Sequence, residues 1–326
     1  MSQIRWGIVG AGGIAQKFAR DLAVARGGVV HAIAGRDLTR AREWAQALGA
    51  SLAYDSVRDL AEEKSVDIVY IATPHQAHYE AAKTLLSCGK PVLVEKPMTV
   101  NSAQARELIE LARAKNLFLM EALWTRFLPL YRRLRRLLDK GGIGPVRAVS
   151  SSFCVRADHD AKKRWMNPDL AGGSLLDLGV YCLAMTQLVL RTRPSAVSSV
   201  AVMSSTGVDE MLSAALSYPC GAVANMVCGL AAHGDNRLVI AGEKGTVEVP
   251  SNFIAAQKAV IVCGDGKTSM EEPFRGEGFE FQIAETVRCL RAGETESPLM
   301  PLTDTLELAE SMDEIRRQIG LRYPFE

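Results

Sequence analysis

The chain has 326 residues, of which 48% are hydrophobic and 23% are charged, and these values suit two globular domains of ordinary size. Its formal net charge is +1, which provides no basic field for nucleic acid or an anionic membrane surface, so we expect neither partner. The seven cysteines are scattered and never form Cys-x-x-Cys, which favours reduced thiols in a cytoplasmic protein over a disulfide framework or a zinc site.

The first third of the chain alternates between strand and helix patterns. The opening segment, 4–9, is a short apolar run that ends in glycines and predicts a strand rather than a signal peptide. Similar runs, with helical periodicity between them, predict further strands at 29–34, 66–72, 91–94 and 117–120. Strands separated by single helices predict a parallel, doubly wound sheet, so we assign residues 1–122 to an N-terminal α/β domain of the Rossmann type.

The alternation of strands and helices ends after a basic helix predicted over 128–140. Strand-like segments then follow one another with few helices between them, at 146–155, 195–203, 211–217, 222–228, 237–241 and 246–249. A helix predicted over 174–190 interrupts them, and two more helices close the chain. Consecutive strands favour antiparallel pairing, so we assign residues 123–326 to a C-terminal α+β domain built on a mostly antiparallel sheet.

A glycine-rich turn, Gly10-Ala11-Gly12-Gly13-Ile14-Ala15, directly follows the first predicted strand and fits the pattern Gly-x-Gly-x-x-Ala. The first glycine permits a tight turn, the second lets the backbone approach a diphosphate, and the third position must be small where helix meets sheet. A helix that begins here offers unpaired N–H groups and the positive end of its dipole to the phosphates. We therefore predict dinucleotide binding at Gly10, Gly12, Gly13 and Ile14.

The end of the second predicted strand distinguishes NADP from NAD. NAD enzymes have a carboxylate here for the ribose hydroxyls, whereas this chain has Arg36, followed one helical turn later by Arg40. Arg36 can stack on adenine and pair with a 2′-phosphate, and Arg40 adds a second positive charge. In the alternative, both arginines are solvated and Asp37 binds the ribose, but Asp37 fits better as a helix N-cap. We therefore predict that NADP(H) is preferred over NAD(H).

Polar residues in two separate segments are candidates for catalysis. Lys96 follows the fourth predicted strand in Glu95-Lys96-Pro97, and the carboxyl ends of parallel strands face the ligand crevice. A lysine there can stabilise a developing alkoxide or phenolate, although an ordinary surface lysine is the alternative. Asp177 and Tyr181 are four residues apart and share a face of an otherwise apolar helix. Such groups need partners, which indicates either a hydrogen-bonded site or a structural Asp–Tyr pair.

The residues after the fifth predicted strand are candidates for binding substrate. Trp124 offers a ring face that suits the apolar face of a sugar or a cyclic diol, and Arg126 can hydrogen-bond hydroxyl groups. We predict that these two side chains and Phe127 contact the substrate, with a packing patch between the domains as the alternative. His75 and His78 have no carboxylate or cysteine nearby in sequence, so we predict no metal site.

Three motifs, in this order and spacing, resemble the Gfo/Idh/MocA oxidoreductases: the glycine-rich turn at 10–15, Glu-Lys-Pro at 95–97 and Gly-Gly-x-x-x-Asp-x-Gly-x-Tyr at 172–181. Within that family, segments 118–127 and 175–182 look like the branch of dimeric dihydrodiol dehydrogenases and NADP-dependent D-xylose dehydrogenases. The resemblance covers essentially the whole chain. It implies hydride transfer between nicotinamide C4 and a carbinol or carbonyl carbon of a sugar or cyclic diol, in a homodimer or homotetramer built through the C-terminal sheet.

The resemblance also implies roles for individual residues. Tyr181 stands where many members have histidine, and in this branch it is the acid/base, with Lys96 lowering its pKa and Asp177 orienting substrate or lysine. His75 replaces a family asparagine. Cofactor contacts are implied for Thr73, Pro74, His78, Glu95 and Lys96.

Two other functions stay open at this point. One is a reductase of 1,5-anhydrofructose-like or dicarbonyl sugars, which differs from a dehydrogenase only in substrate and direction. The other is a redox or metabolite sensor that holds NADP without turnover. The joint presence of Lys96, Asp177 and Tyr181 favours an enzyme over the sensor.

Overall fold

The computed structural model describes residues 3–326, which group into two compact units. The first unit runs up to Trp124 and also takes in Arg275–Leu306, whereas the second comprises Thr125–Phe274 and Glu307–Glu326. The sequence patterns assign the whole C-terminal part of the chain to one domain. Arg275–Leu306 departs from that assignment because its helix packs in the first unit.

Strands and helices are numbered in chain order. The strands are β1 (Arg5–Val9), β2 (Val29–Ala34), β3 (Leu52–Tyr54), β4 (Ile68–Ile71), β5 (Val92–Glu95), β6 (Leu119–Ala122), β7 (Val146–Cys154), β8 (Ala196–Met203), β9 (Asp209–Ser217), β10 (Val223–Gly229), β11 (Leu238–Gly242), β12 (Thr246–Val249), β13 (Lys258–Cys263) and β14 (Gly266–Glu271). The helices are α1 (Gly13–Val24), α2 (Leu38–Leu48), α3 (Val57–Glu62), α4 (His78–Ser87), α5 (Ser102–Ala114), α6 (Pro129–Asp139), α7 (Val180–Leu190), α8 (Glu280–Ala292) and α9 (Leu302–Ile319).

Strands β1 to β6 form the parallel sheet of the first unit, in the order β3-β2-β1-β4-β5-β6. This order confirms the predicted doubly wound Rossmann sheet, and it reverses between β1 and β4, where such sheets bind their ligands. All four residues of β4 and of β5 are buried, as expected for central parallel strands covered on both faces. The sequence patterns miss β3, because three half-buried residues at a sheet edge show no periodicity.

Helix α8 belongs to the first unit because the segment that leads into it docks on α1. Asp21, which is 1% exposed on α1, accepts hydrogen bonds from the amides of Glu277 at 2.9 Å and Phe279 at 2.8 Å. Lys17 and Arg20, on the same helix, form ion pairs with the Glu277 carboxylate. One buried carboxylate therefore anchors a segment that lies 256 residues away in sequence.

Strands β7 to β14 form the sheet of the second unit, in the order β14-β13-β12-β11-β7-β10-β9-β8. Neighbouring strands are antiparallel except β7 and β10, which run parallel, so the predicted mostly antiparallel sheet is confirmed. The sequence patterns miss the edge pair β13 and β14, since β14 exposes five of its six residues and shows no apolar alternation.

The core of the second unit lies between this sheet and the helical stretch 168–190. Helix α7, within that stretch, packs against β7 and β10. By length and composition alone the stretch is apolar enough to cross a membrane, and 78% of its most apolar part is buried inside the structure. Such burial is typical of the core helix of a globular domain.

Candidate active site

The glycine-rich turn between β1 and α1 leaves the start of the helix open. Gly10 has φ +99°, and a Cβ atom there would lie 2.7 Å from the carbonyl oxygen of Ala72, so only glycine fits. A Cβ atom at Gly12 or Gly13 would meet no atom within 4 Å, which leaves the start of α1 open. Because its N-cap residue is Gly12, α1 has no side-chain cap for its first N–H groups. The turn therefore offers an anion both space and donors.

Two arginines follow the end of β2, and the Asp37 carboxylate beside them already accepts hydrogen bonds from backbone amides. Asp37 is the N-cap of α2 and accepts hydrogen bonds from the amides of Thr39 at 2.8 Å and Arg40 at 3.2 Å, which confirms its predicted capping role. Arg36 and Arg40 are both exposed. Ile14, in the first turn of α1, is half-buried. Positive charge thus stands at the strand end where an NAD enzyme has its ribose carboxylate.

Glu95 ends β5 and is buried beneath the turn that carries Lys96. Its carboxylate accepts hydrogen bonds from the Tyr70 hydroxyl and from the Lys96 amide, the latter at 3.2 Å. Burial raises the pKa of Glu95 to about 7, and the Tyr70 hydrogen bond and the Lys96 charge oppose part of that rise. The Glu95 side chain therefore supports the Lys96 turn from inside the protein.

Two further buried side chains hold the residues that follow Lys96. Glu121, 1% exposed on β6, accepts a hydrogen bond from the Met98 amide at 2.9 Å. Nδ1 of the His78 ring lies 2.8 Å from the carbonyl oxygen of Pro97, and the Lys96–Pro97 peptide bond is cis. Three buried polar side chains thus converge on consecutive backbone groups around Lys96, which fixes the path of this turn.

The loop after β4 is joined to the Lys96 turn through the ring of His78. That ring is fully buried, and its Nε2 lies 2.8 Å from the carbonyl oxygen of Thr73. Both ring nitrogens therefore face backbone carbonyls, so the cofactor contact implied by the resemblance would require His78 to give up one of these partners. Thr73 and Pro74 are half-buried, and His75 is 5% exposed.

In the second unit, Asp177 lies in the π-helical turn Leu175–Gly179, and Tyr181 lies in the first turn of α7. The sequence predicts a regular α-helix here, but the Val180 amide bonds to the Leu175 carbonyl, five residues back. Such π turns occur often at functional sites. Asp177 accepts a hydrogen bond from the Arg164 guanidinium at 2.8 Å, and the Tyr181 ring packs edge-on against a phenylalanine, Phe153.

The three residues that are predicted to contact substrate differ in their exposure and in the side chains that they contact. The Trp124 ring stacks on Phe279 with ring centroids 5.2 Å apart, so one of its faces is covered. Arg126 is 6% exposed and donates to the Gln187 side chain at 2.9 Å. Phe127 is 1% exposed, so its ring is buried in the structure.

Some residues of the site carry weak signals or none in the sequence. Glu121 is detectable in principle, because a charged side chain inside the apolar run 117–122 must find a buried partner. Arg164 has no local pattern that links it to Asp177. Within residues 3–326, no group of three or more His, Cys, Asp or Glu side chains is arranged to hold a metal ion.

Comparison with known families matches both units. Residues 4–123 match the oxidoreductase family with an NAD-binding Rossmann fold. Residues 131–248 match the GFO/IDH/MocA C-terminal domain. The two matches together cover more than half of the chain.

Individual relatives are similar over nearly the full length. The trans-1,2-dihydrobenzene-1,2-diol dehydrogenase of Mus musculus is 37% identical over 332 residues and that of Homo sapiens 36% over 331 residues, with 98% of each chain covered. Among solved structures, KijD10, a 3-ketoreductase from Actinomadura kijaniata in complex with NADP and TDP-benzene, is 27% identical with a TM-score of 0.87 and 98% coverage of both chains. The aldose-aldose oxidoreductase of Caulobacter crescentus shares the fold, with a TM-score of 0.90 at 24% identity and 98% coverage of both chains.

Proposed function

This chain belongs to the Gfo/Idh/MocA family of oxidoreductases, and we propose that it moves hydride between NADP(H) and a carbinol or carbonyl carbon of a cyclic diol or a sugar. An NAD(P)-dependent dehydrogenase acting on hydroxyl groups follows from the family and from the dihydrodiol dehydrogenases to which it is similar. The observation that carries the finer proposal is the Lys96 turn, held by Glu95, Glu121 and His78 at the carboxyl end of β5.

The residues around the starts of α1 and α2 fit an NADP molecule. Gly12 and Gly13 leave room for its diphosphate at the open end of α1. Arg36 and Arg40 supply positive charge for a 2′-phosphate, and the Asp37 carboxylate is engaged with the backbone. When bound, the nicotinamide of this cofactor supplies or accepts hydride at C4.

Side chains of this chain stabilise the charge that develops on the substrate oxygen and transfer its proton. The Lys96 ammonium stabilises negative charge as it develops on the substrate oxygen. Tyr181 gives a proton to that oxygen in reduction and takes it in oxidation, and the positive charge of Lys96 favours the phenolate between these steps. Asp177, held by Arg164, orients the substrate hydroxyl or the lysine.

The test replaces the two proposed groups separately, as Lys96→Met and Tyr181→Phe. We expect each variant to lose turnover by about 10²-fold or more, the usual contribution of a positioned acid or charge, while Tyr181→Phe keeps normal NADPH binding. Lys115→Met and Tyr79→Phe are matched controls in the first unit. Wild-type turnover in both site variants would overturn the catalytic assignment, and a wild type that binds NADPH but turns over no diol or sugar would favour the sensor.

A second candidate is a reductase of sugar ketones, including 1,5-anhydrofructose-like and dicarbonyl sugars. It is favoured by the likeness to KijD10, a 3-ketoreductase, at 27% identity over 98% of both chains. The two candidates are separated by comparing oxidation of trans-dihydrodiols and aldoses with reduction of keto sugars, each with NADP(H) and NAD(H). The substrate with the highest kcat/KM decides between them.

We further propose that the chain self-associates through the open face of the second sheet. On β10, Met226 and Cys228 are buried beside Gly179 of the π-helical turn, whereas Val223 and Val227 are 53% and 39% exposed on the other face. Val200 on β8 is 71% exposed on the same face. Large apolar side chains exposed together on one face of a sheet are typical of a surface that another copy covers.

A further inference from the structure

The glycine pair before the π-helical turn is explained by a residue that is distant in sequence. Gly173 has φ +119°, and a Cβ atom there would lie 2.1 Å from Oδ1 of Asp209. A Cβ atom at Gly172 would lie 2.7 Å from the carbonyl oxygen of Trp165. The turn is therefore made of glycine because Asp209 and the Trp165 backbone approach it closely.

Asp209 is the first residue of β9 and is fully buried. Its Oδ2 accepts two hydrogen bonds of 2.7 Å, from the Ser174 hydroxyl and from the Leu175 amide. An amide in the first turn has no partner within its own helix, so Asp209 acts as a cap supplied from another element. Burial raises the pKa of Asp209 to about 6, and its two hydrogen bonds oppose part of that rise.

Other hydrogen bonds hold the glycine pair, Gly172 and Gly173, in place. The Tyr323 hydroxyl donates to the Gly172 carbonyl at 2.7 Å, and the Gly173 amide donates to the Trp165 carbonyl at 2.9 Å. These bonds fix the backbone just before the π-helical turn. The Leu175 amide lies inside the π-helical turn itself, and it donates a hydrogen bond to the Asp209 carboxylate.

We propose that Asp209 is a positioning residue, which sets the start and direction of the helical segment that carries Asp177 and Tyr181. Asp177 shares the π-helical turn with Leu175, and Tyr181 follows in the first turn of α7, so a shift of the Leu175 amide reaches both side chains through continuous helix. The proposal rests on the function proposed for Tyr181. Displacements of this kind change rates strongly because reacting groups tolerate little misplacement.

The kinetic test uses Asp209→Ala, Asp209→Asn and Ser174→Ala in the full chain. We expect Asp209→Ala to lower kcat by about tenfold to a hundredfold with little change in NADPH affinity, as for a displaced catalytic group. Asp209→Asn keeps an oxygen that can accept from both donors, so its kcat should recover most of the loss. Ser174→Ala removes one of the two hydrogen bonds, so its kcat should lie between those of Asp209→Ala and the wild type. Asp265→Ala, in the exposed β13–β14 turn, is the matched control for loss of an aspartate.

A second measurement does not depend on turnover. Hydrogen exchange of peptides that span 174–181 should be faster in Asp209→Ala than in the wild type, with β9 and β10 outside this segment unchanged. Unchanged exchange at 174–181, an equal increase throughout the second unit, or failure of Asp209→Asn to restore protection would overturn the proposal. A wild type without turnover on any diol or sugar would instead count against the proposed function, since the exchange result still decides the role of Asp209.

Discussion

The Glu121 carboxylate accepts a hydrogen bond from the Met98 amide at 2.9 Å, so β6 holds the turn that presents Lys96 at the end of β5. The carboxylate is 1% exposed, and the amide it binds lies beyond the last residue of the neighbouring strand. This relationship explains why a charged residue occurs inside an otherwise apolar strand. It also links the position of Lys96 to a side chain that need not touch substrate.

We predict that Glu121→Ala lowers kcat by about tenfold or more, because a loosened Lys96 turn misplaces the ammonium. The variant also leaves the buried Met98 amide without its acceptor, which costs about 1–3 kcal/mol of stability. Glu121→Gln retains an acceptor oxygen and should recover most of both losses. Steady-state kinetics and urea unfolding measure the two effects. Equal kinetics in the alanine variant and the wild type would show that Glu121 does not position Lys96.

Substitution by alanine should lower stability at Gly10 and cofactor affinity at Gly12. Gly10→Ala combines φ +99° with a contact of 2.7 Å to the Ala72 carbonyl, so it should destabilise the first unit by about 1–3 kcal/mol or more. Gly12→Ala meets no atom within 4 Å and should fold normally, yet its methyl group occupies the space predicted for the diphosphate. Thermal unfolding and NADPH titration separate the cases. Tight NADPH binding by Gly12→Ala would mean that the diphosphate does not bind at this turn.

Removal of the arginines at the end of β2 should weaken NADPH selectively. We expect Arg36→Ala and Arg40→Ala each to raise the Kd for NADPH by about tenfold, the value of one good charge-assisted pair, and to leave NADH binding nearly unchanged. Arg42→Ala, on the exposed side of α2, is the control for charge. Fluorescence titrations with both cofactors provide the measurement. Parallel losses for NADH and NADPH would place the 2′-phosphate elsewhere.

The pKa of Glu95, raised by burial from 4.5 to about 7, predicts how its contribution to stability depends on pH. The folded protein binds this proton more tightly than the unfolded chain, so the contribution is complete below about pH 4.5 and is lost as the pH rises to about 7. The loss is on the order of 3 kcal/mol across that window. Glu95→Gln should remove this slope, whereas Glu110→Gln, exposed on α5, should keep it. Urea midpoints at several pH values test the difference, and identical slopes in Glu95→Gln and the wild type would contradict the prediction.

The proposed self-association predicts that a charge at Val200 separates the copies. Val200→Glu introduces an uncompensated carboxylate on the open face of β8, where burial in an interface would be costly. We expect a smaller species in sedimentation velocity with unchanged circular dichroism. Val24→Glu, at a site 49% exposed on α1, is the matched control. An unchanged assembly in Val200→Glu would exclude this face as the interface.

Features formed by neighbouring residues were open to prediction from the sequence. The turn at Gly10, the helix that starts after it, and the Asp37 cap each depend on a few consecutive residues whose allowed φ and ψ values and hydrogen bonds are local. Apolar runs separated by helices likewise determine a parallel sheet. Predictions fell short where the local signal was short or exposed, as at β3 and β14, or where a regular helix was assumed around Asp177.

The sequence by itself therefore determined the two sheet types, the dinucleotide turn and the identity of the polar candidates, because these follow from backbone preferences and periodicity within short windows. Only the tertiary structure decided that Glu121 holds the Lys96 turn, that Asp209 caps the π-helical turn, and that Arg275–Leu306 packs with the first unit. Each of these joins residues far apart in the chain. Such a partnership is set by which buried donor and acceptor the whole fold brings together, and no local pattern encodes that choice.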